Sequence, residues 1–252
     1  MAQHSAEQDF HDEFYETGAD EVHGSPAWAL VRARHIRFIT SQIPSHSQKR
    51  VLSLGCGNGS VELKLSPHFA HIEASDLSPR AIAIARQRAQ AAGRVNVNFT
   101  VAEASSIGFP DGSFDVLLAL SMLHHLSDGA MRDLVSEARR VLKPGGIFIS
   151  IDPNKFRAVG LGKWLVRRTL KKYHSPDERE LHPQQTARMV KAAGFASATV
   201  HPLDYFVSVL SWLYPSLSPK LAAGLLSIDE LMLRTPIINR FSSGFAIVAT
   251  AR

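Results

Sequence analysis

The stretch VLSLGCGNG, residues 51–59, decides the fold: a short apolar run delivers the backbone directly into three closely spaced glycines, Gly55, Gly57 and Gly59. This is the pattern of a buried strand ending in a ligand-binding turn. Glycine admits dihedrals closed to other residues and lets a ligand lie against bare backbone, while a following helix offers unpaired N–H groups. Working outward, residues 69–75 lead into Asp76, Leu77, Ser78 and Pro79. That places an acid about twenty residues past the glycines, at the end of a second parallel strand, where it can accept hydrogen bonds from ribose hydroxyls. The G-x-G-x-G spacing is not the G-x-G-x-x-G of a dinucleotide site, and no Gly-Lys-Ser/Thr follows to make a phosphate loop. The residues point to an adenosine ligand without a diphosphate.

Strand and helix signals alternate beyond the first turn. Ser78 and Pro79 suit the N-cap and first position of a helix running to about Ala92 and ended by Gly93. Residues 95–101 alternate like a strand, and residues 114–120 form the nearly continuous apolar run of a strand covered on both faces. Asp128 precedes a helix through Val141, and Pro144, Gly145 and Gly146 turn into a strand over 147–151. A helix over 183–193 closes at Gly194, a strand follows near 196–203, and residues 243–251 make a last strand. Such alternation predicts a doubly wound α/β sheet with its ligand at the strands' carboxyl ends.

Taken together, these motifs resemble the class I S-adenosylmethionine-dependent methyltransferases, in particular their small-molecule, UbiE-like branch. Val51 to Gly59 matches the first motif and Glu73 to Leu77 the ribose-binding acid. Glu103 and Ala104 with Phe109 to Leu120 match the adenine-side and fourth-strand motifs, and Leu142 to Ile149 the LKPGG turn and fifth strand. The resemblance spans roughly residues 48–152. It implies a Rossmann-like seven-stranded sheet with an antiparallel last strand, and S-adenosyl-L-methionine as cofactor. Gly55 and Gly57 would lie beneath its methionine part, Asp76 would hold the ribose and Glu103 the adenine amino group. Cys56, Gly59, Leu77, Ala104, Leu120 and Ser121 would complete the cofactor site. Ser53 departs from the family, which more often carries an acid there to brace the turn and the cofactor's amino group.

Composition fits one enzyme-sized domain over 1–252, with 45% hydrophobic and 20% charged residues. One cysteine, Cys56, forms no internal disulfide, which suits a reducing cytoplasm; inside the glycine turn it reads as packing rather than a nucleophile. The acidic N-terminus does not read as a signal peptide, no stretch is long and apolar enough to span a bilayer, and no metal-site spacing is present.

Residues 1–45 precede the first core strand and read as a helical lid, with Phe10 and Phe14 on one face and a helix over 27–43; residues 48–152 form the cofactor core and 153–252 the substrate-side elements. In the family such a lid closes over cofactor and substrate, which makes Tyr15, His23 and Trp28 candidates for substrate contact. Residues 205–240 insert two or three short apolar helices, broken at Pro215, Pro219 and Pro236, before the last strand. Residues 155–172 carry Lys155, Arg157, Lys163, Arg167, Arg168, Lys171 and Lys172, no acid, and interleaved apolar residues. Such a segment suits an anionic membrane surface or an anionic substrate, and with the apolar insertion it points to a lipid-like or isoprenoid acceptor, the chain being cytoplasmic or peripheral at the inner membrane surface. Methyl transfer asks chiefly for proximity and orientation, with a base where the acceptor is a hydroxyl or protonated nitrogen. His125, His124, Tyr15, His23 and Asp152 are the candidates, with His11 also carried by the lid. Two alternatives stand beside transfer to oxygen or nitrogen of a small molecule: methylation of RNA or another nucleic acid, which the missing N/D-P-P-Y/F-type motif argues against, and non-catalytic cofactor binding.

Overall fold

A computed structural model describes residues 9, 12–16, 24–104, 107–157 and 178–252. The strands are β1 (Arg50–Leu54), β2 (His71–Asp76), β3 (Val97–Val101), β4 (Phe114–Leu120), β5 (Leu142–Pro153), β6 (Phe195–Leu203) and β7 (Gly244–Ala251). They form one seven-stranded sheet in the order β3-β2-β1-β4-β5-β7-β6. β1 pairs in parallel with both β2 and β4, and the chain reverses direction of winding between them. β7 is antiparallel to both β5 and β6 and lies between them. The fold is the Rossmann-like one the resemblance implies.

Side-chain period explains the two cores. Alternate residues of a strand face opposite sides, so Leu52 and Leu54 of β1 join Leu117 and Ala119 of β4 under one helical layer. That layer contains α4 (Asp128–Val141) and α5 (Pro183–Ala192), through Leu134, Val135 and Val190. Val51, Val116 and Leu118 face the other way, against Ile36 and Ile39 of α1 (Pro26–Ser41) and Ile82 and Ala85 of α3 (Pro79–Ala91). The helix starts are encoded locally: Ser25, Ser78 and Ser127 each accept a hydrogen bond from the backbone N–H three residues on. Pro26 and Pro79 open their helices, and Gly93 beyond α3 and Gly194 beyond α5 sit at φ +60 and +98. One expectation changes in detail. Pro144, Gly145 and Gly146 interrupt β5 as an irregularity, with the register shifting between Phe114 and Val116, rather than preceding it as a separate turn.

The insertion folds as α6 (Val207–Leu213), α7 (Pro219–Leu233) and a 3-10 turn (Ile238–Phe241). It packs on α1 through Ala27, Val31, Val207 and Ala222, with Trp28 edge-on to Trp212 at 5.7 Å. Beneath this apolar contact lies a charged layer that hydrophobic periodicity does not reveal. Asp229, fully buried on α7, accepts hydrogen bonds from the N–H groups of Tyr205 (2.8 Å), Phe206 (2.9 Å) and Val207 (3.4 Å) at the start of α6. Arg34 of α1 bridges it to Asp204, at 3.8 and 3.4 Å, and His35 binds Asp204 at 2.6 Å. Burial raises the pKa of Asp204, but His35 and Arg34 outweigh burial and hold it below the usual carboxylate value. Burial dominates at Asp229, raising its pKa against the three backbone hydrogen bonds.

Removing one partner of such a layer strands the others away from water. Asp229→Ala should therefore lower unfolding stability by about 3–5 kcal/mol in urea titrations. A loss under about 1 kcal/mol, the range of an exposed pair, would show the layer to be unimportant.

Candidate cofactor and acceptor site

At the end of β1 the backbone turns through Gly55 (φ +68), Gly57 (φ +53) and Gly59 (φ +71). These are left-handed conformations in which a side chain is strained. A β-carbon on Gly57 would also displace the Tyr15 hydroxyl, which lies against this turn. Neighbouring backbone fixes the turn, since the Cys56 N–H donates to the Ser75 carbonyl at 3.0 Å. Asp76, at the end of β2, completes the clamp. Its Oδ2 accepts from the Gly57 N–H at 2.7 Å and its Oδ1 from the Ser78 N–H at 3.0 Å.

A cavity of about 380 Å³ opens above this turn, at the carboxyl edge of the sheet. All the residues expected to hold the cofactor line it except Gly59. A β-carbon on Gly59 would instead meet the Phe99 ring at 2.7 Å and Ala85 at 2.9 Å, so this glycine serves the approach of β1 to the core behind it. Strand order arranges the polar groups: Glu103 follows β3, Asp76 ends β2, Gly55 and Gly57 follow β1, and Ser121, Met122 and His125 follow β4. Adjacent strands are about 4.8 Å apart, so the row has the reach of an extended adenosine-bearing ligand. Ser121 holds φ +53 although it is not a glycine, its N–H tied to the Ile151 carbonyl at 2.7 Å, a local strain of the kind found at ligand sites.

The catalytic candidates separate. Tyr15, in a helical segment over 12–16, and His125 line the cavity. Burial first, then the charges of Asp76, Cys56 and Glu62, raise the Tyr15 pKa well above its ordinary value, so its hydroxyl stays protonated. Asp12, on the same segment, meets the Ser78 hydroxyl. His124 and Asp152 are absent from the lining. They pair with each other behind the wall, Nδ1 to Oδ1 at 3.0 Å, and the same oxygen accepts the His124 N–H at 3.2 Å. With side chains 7% and 0% exposed, they fasten the turn after β4 to β5. His23, His11 and residues 158–172 of the basic segment lie outside the described residues.

Arg32, His35, Met122 and Glu62 also line the cavity and carried no motif. Glu62 opens the short helix α2 (Glu62–Leu65). Its available signal was an acid between Val61 and Leu63, just after the glycine turn. Its Oε1 accepts the Ser53 hydroxyl at 2.8 Å, and burial raises its pKa to about 7. Burial likewise raises the Cys56 thiol well above its ordinary value, with Glu62 and Asp76 adding to the shift, consistent with a packing role. Among the described residues no cluster of His, Cys, Asp and Glu could hold a metal ion, and no helix is long and apolar enough to cross a membrane.

With this geometry established, likeness to known proteins becomes specific. Residues 51–146 match the model of a family described as a methyltransferase domain. An uncharacterized methyltransferase, YcgJ of Bacillus subtilis, is 37% identical over 42% of this chain and 41% of its own. Its crystal structure superposes with a TM-score of 0.59 over 87% of this chain and 99% of that one, at 24% identity. Ajmaline N-methyltransferase of Rauvolfia serpentina is 28% identical over 80% of this chain and 65% of its own. A ubiquinone biosynthesis O-methyltransferase of Aromatoleum aromaticum is 28% identical over 62% and 68%. The chain spans less than two thirds of the length of the first two of these relatives. Its fold is that of the class I S-adenosylmethionine-dependent methyltransferases, and the cofactor of that fold is S-adenosylmethionine. The clamped Asp76, the left-handed glycine turn and the acids along the row fit it.

Glu62 has a measurable cost in the ligand-free protein. A carboxyl whose pKa rises from 4.5 unfolded to about 7 folded binds its proton more tightly when folded. Its contribution is fully present below the unfolded pKa and is lost as pH rises through 7. Glu62→Gln should leave stability unchanged near pH 4 and raise it near pH 8, by about 3 kcal/mol, in urea titrations. Equal stability of the two proteins at both pH values would show the carboxyl to be solvated.

Proposed function

We propose that this protein transfers a methyl group from S-adenosylmethionine to an oxygen or nitrogen of a small, apolar or lipid-like acceptor, as a member of the small-molecule, UbiE-like branch. The observation that carries this reading is a cavity in which the clamped glycine turn and Asp76 meet an apolar wall of Trp28, Met122, Leu126 and Leu134. When bound, the cofactor supplies an electrophilic methyl group on a sulfonium. The chain's work is to hold an acceptor atom in line with it and to exclude water. Trp28 and Met122 give the acceptor an apolar surface, His125 stands where it can take a proton from a hydroxyl or ammonium, and Tyr15 supplies a protonated phenol that can orient a lone pair. His124 and Asp152 hold the segment bearing His125. The named activities of the ajmaline and ubiquinone relatives support nitrogen and oxygen acceptors of this general size.

A lipid-like acceptor gains support from the insertion, where Leu221, Leu231 and Ile237 are 56, 70 and 74% exposed beside Lys220 and Arg234. Peripheral contact with an anionic membrane through residues 155–172 belongs to the same reading, and with it a place at the cytoplasmic face. Domain organisation follows suit: one unit over 1–252, with lid 1–45, core 48–152 and substrate-side elements 153–252.

Calorimetry should show S-adenosylhomocysteine binding, and radiolabelled methyl should pass to prenylated phenols or apolar amines but not to RNA. With such an acceptor, His125→Ala should lower kcat by about 100-fold or more while leaving cofactor affinity within about twofold. Cofactor binding with transfer only to RNA would favour the nucleic-acid alternative, and binding with no transfer to any acceptor the non-catalytic one. Neutralising Arg167, Arg168, Lys171 and Lys172 should reduce co-sedimentation with phosphatidylserine vesicles at low salt; wild-type protein that stays in the supernatant would remove the membrane contact.

A further inference from the structure

Glu62 is a buried carboxyl that the reading above does not use. It is 2% exposed, it lines the cavity beside Gly55 and Gly57, and its two oxygens differ. Oε1 is held by the Ser53 hydroxyl at 2.8 Å, whereas Oε2 is buried with no hydrogen-bond partner among the described residues. A buried acceptor without a donor costs free energy, and a buried carboxylate costs more unless a cation joins it. Among the described residues, the charged and titratable groups that face it do not supply one. Asp76 at the end of β2 repels its charge, as Glu62 repels charge on Tyr15 of the 12–16 segment and on Cys56 of the turn. Arg32 of α1 favours the charged form from a distance, but no hydrogen bond from it reaches Oε2.

The missing partner must therefore arrive with the ligand, and it must both carry positive charge and donate a hydrogen bond. S-adenosylmethionine has two cationic centres. The sulfonium has no N–H or O–H to donate; the ammonium of the amino-acid end has three. Position selects the same group. Along the carboxyl edge, Glu103 and Asp76 would take the adenosine half over β3 and β2, so the ligand's other end falls over β1, where Ser53 is the last residue but one and Glu62 follows the glycines.

We propose that Glu62 Oε2 accepts the ammonium of the cofactor's amino-acid end, with Ser53 positioning the carboxyl through its other oxygen. This rests on the reading of the cavity as an S-adenosylmethionine site. The arrangement gives Ser53 a use: strand β1 carries only a hydroxyl at that position, and the negative charge is delivered from α2. It also links binding to protonation, because a carboxyl neutral in the free protein must ionise to pair with the ammonium, releasing a proton.

Calorimetry with two ligands tests it, S-adenosylhomocysteine and 5′-methylthioadenosine, which lacks the amino-acid end. Glu62→Gln should weaken S-adenosylhomocysteine by about 10- to 100-fold, the worth of one charged hydrogen bond, and leave methylthioadenosine within about twofold. In the wild type, affinity for S-adenosylhomocysteine should rise from about pH 6 to about pH 7.5 with proton release, while that for methylthioadenosine stays level. Equal affinity of variant and wild type for S-adenosylhomocysteine, or equal loss for both ligands, overturns the assignment while leaving the cavity's identity intact. A wild type that binds neither ligand overturns that identity and the assignment with it. Should the variant fail to fold, a wild-type ratio of the two affinities that does not change with pH overturns the assignment by itself.

Discussion

The carboxylate of Asp76 is the interaction on which the site depends. Its oxygens take the N–H of Gly57 on one side and of Ser78 on the other, joining the turn after β1 to the start of α3. Three left-handed glycines in five residues would otherwise have many conformations to choose from, and each frozen residue costs roughly 1–2 kcal/mol of backbone entropy. The clamp holds one of them. Both oxygens keep lone pairs for a ligand, since a carboxylate offers about four acceptor sites. Scaffold and recognition thus use the same side chain.

Around that clamp, elements outside the core sheet close the cavity. Tyr15 lies against Gly57, and α1 contributes Trp28, Arg32 and His35 to the walls. His35 is also the residue that binds Asp204, and Arg34 beside it spans Asp204 and Asp229. The face of α1 that borders the site is therefore also the one fixed to the insertion. The stability given to this layer contrasts with Glu62, which is held at a cost in a place where a ligand's cation can offset it. Native proteins commonly keep such destabilised groups where function needs them.

Much of this was legible in the sequence, because the signals are local and periodic. Residues 51–59 and Asp76 announce a strand, a turn and an acid at the end of the second strand by spacing alone. The alternation of apolar runs with Ser-Pro starts and Gly stops placed the later helices and strands to within a few residues. Where pattern failed, the cause was tertiary. Gly59 belongs to the same motif as Gly55 and Gly57, yet it faces Phe99 and Ala85 because the turn rotates away from the cavity. His124 and His125 are adjacent and look interchangeable; only the 3-10 turn, which directs one toward Asp152 and the other into the cavity, separates them. Glu62 was hidden for a similar reason, since its partner Ser53 lies nine residues earlier on a different element. The ion layer of Arg34, Asp204 and Asp229 joins residues from three parts of the chain and leaves no periodic trace.

The central claim is that one row of groups across the ends of β3, β2, β1 and β4 binds S-adenosylmethionine end to end. A crystal structure with S-adenosylhomocysteine tests this most directly. The account predicts adenine beside Glu103, ribose hydroxyls on Asp76, the amino-acid end over Gly55 and Gly57 at Glu62, and sulfur directed toward Met122 and His125. A ligand bound in the reverse sense, or bound away from Asp76, would contradict it.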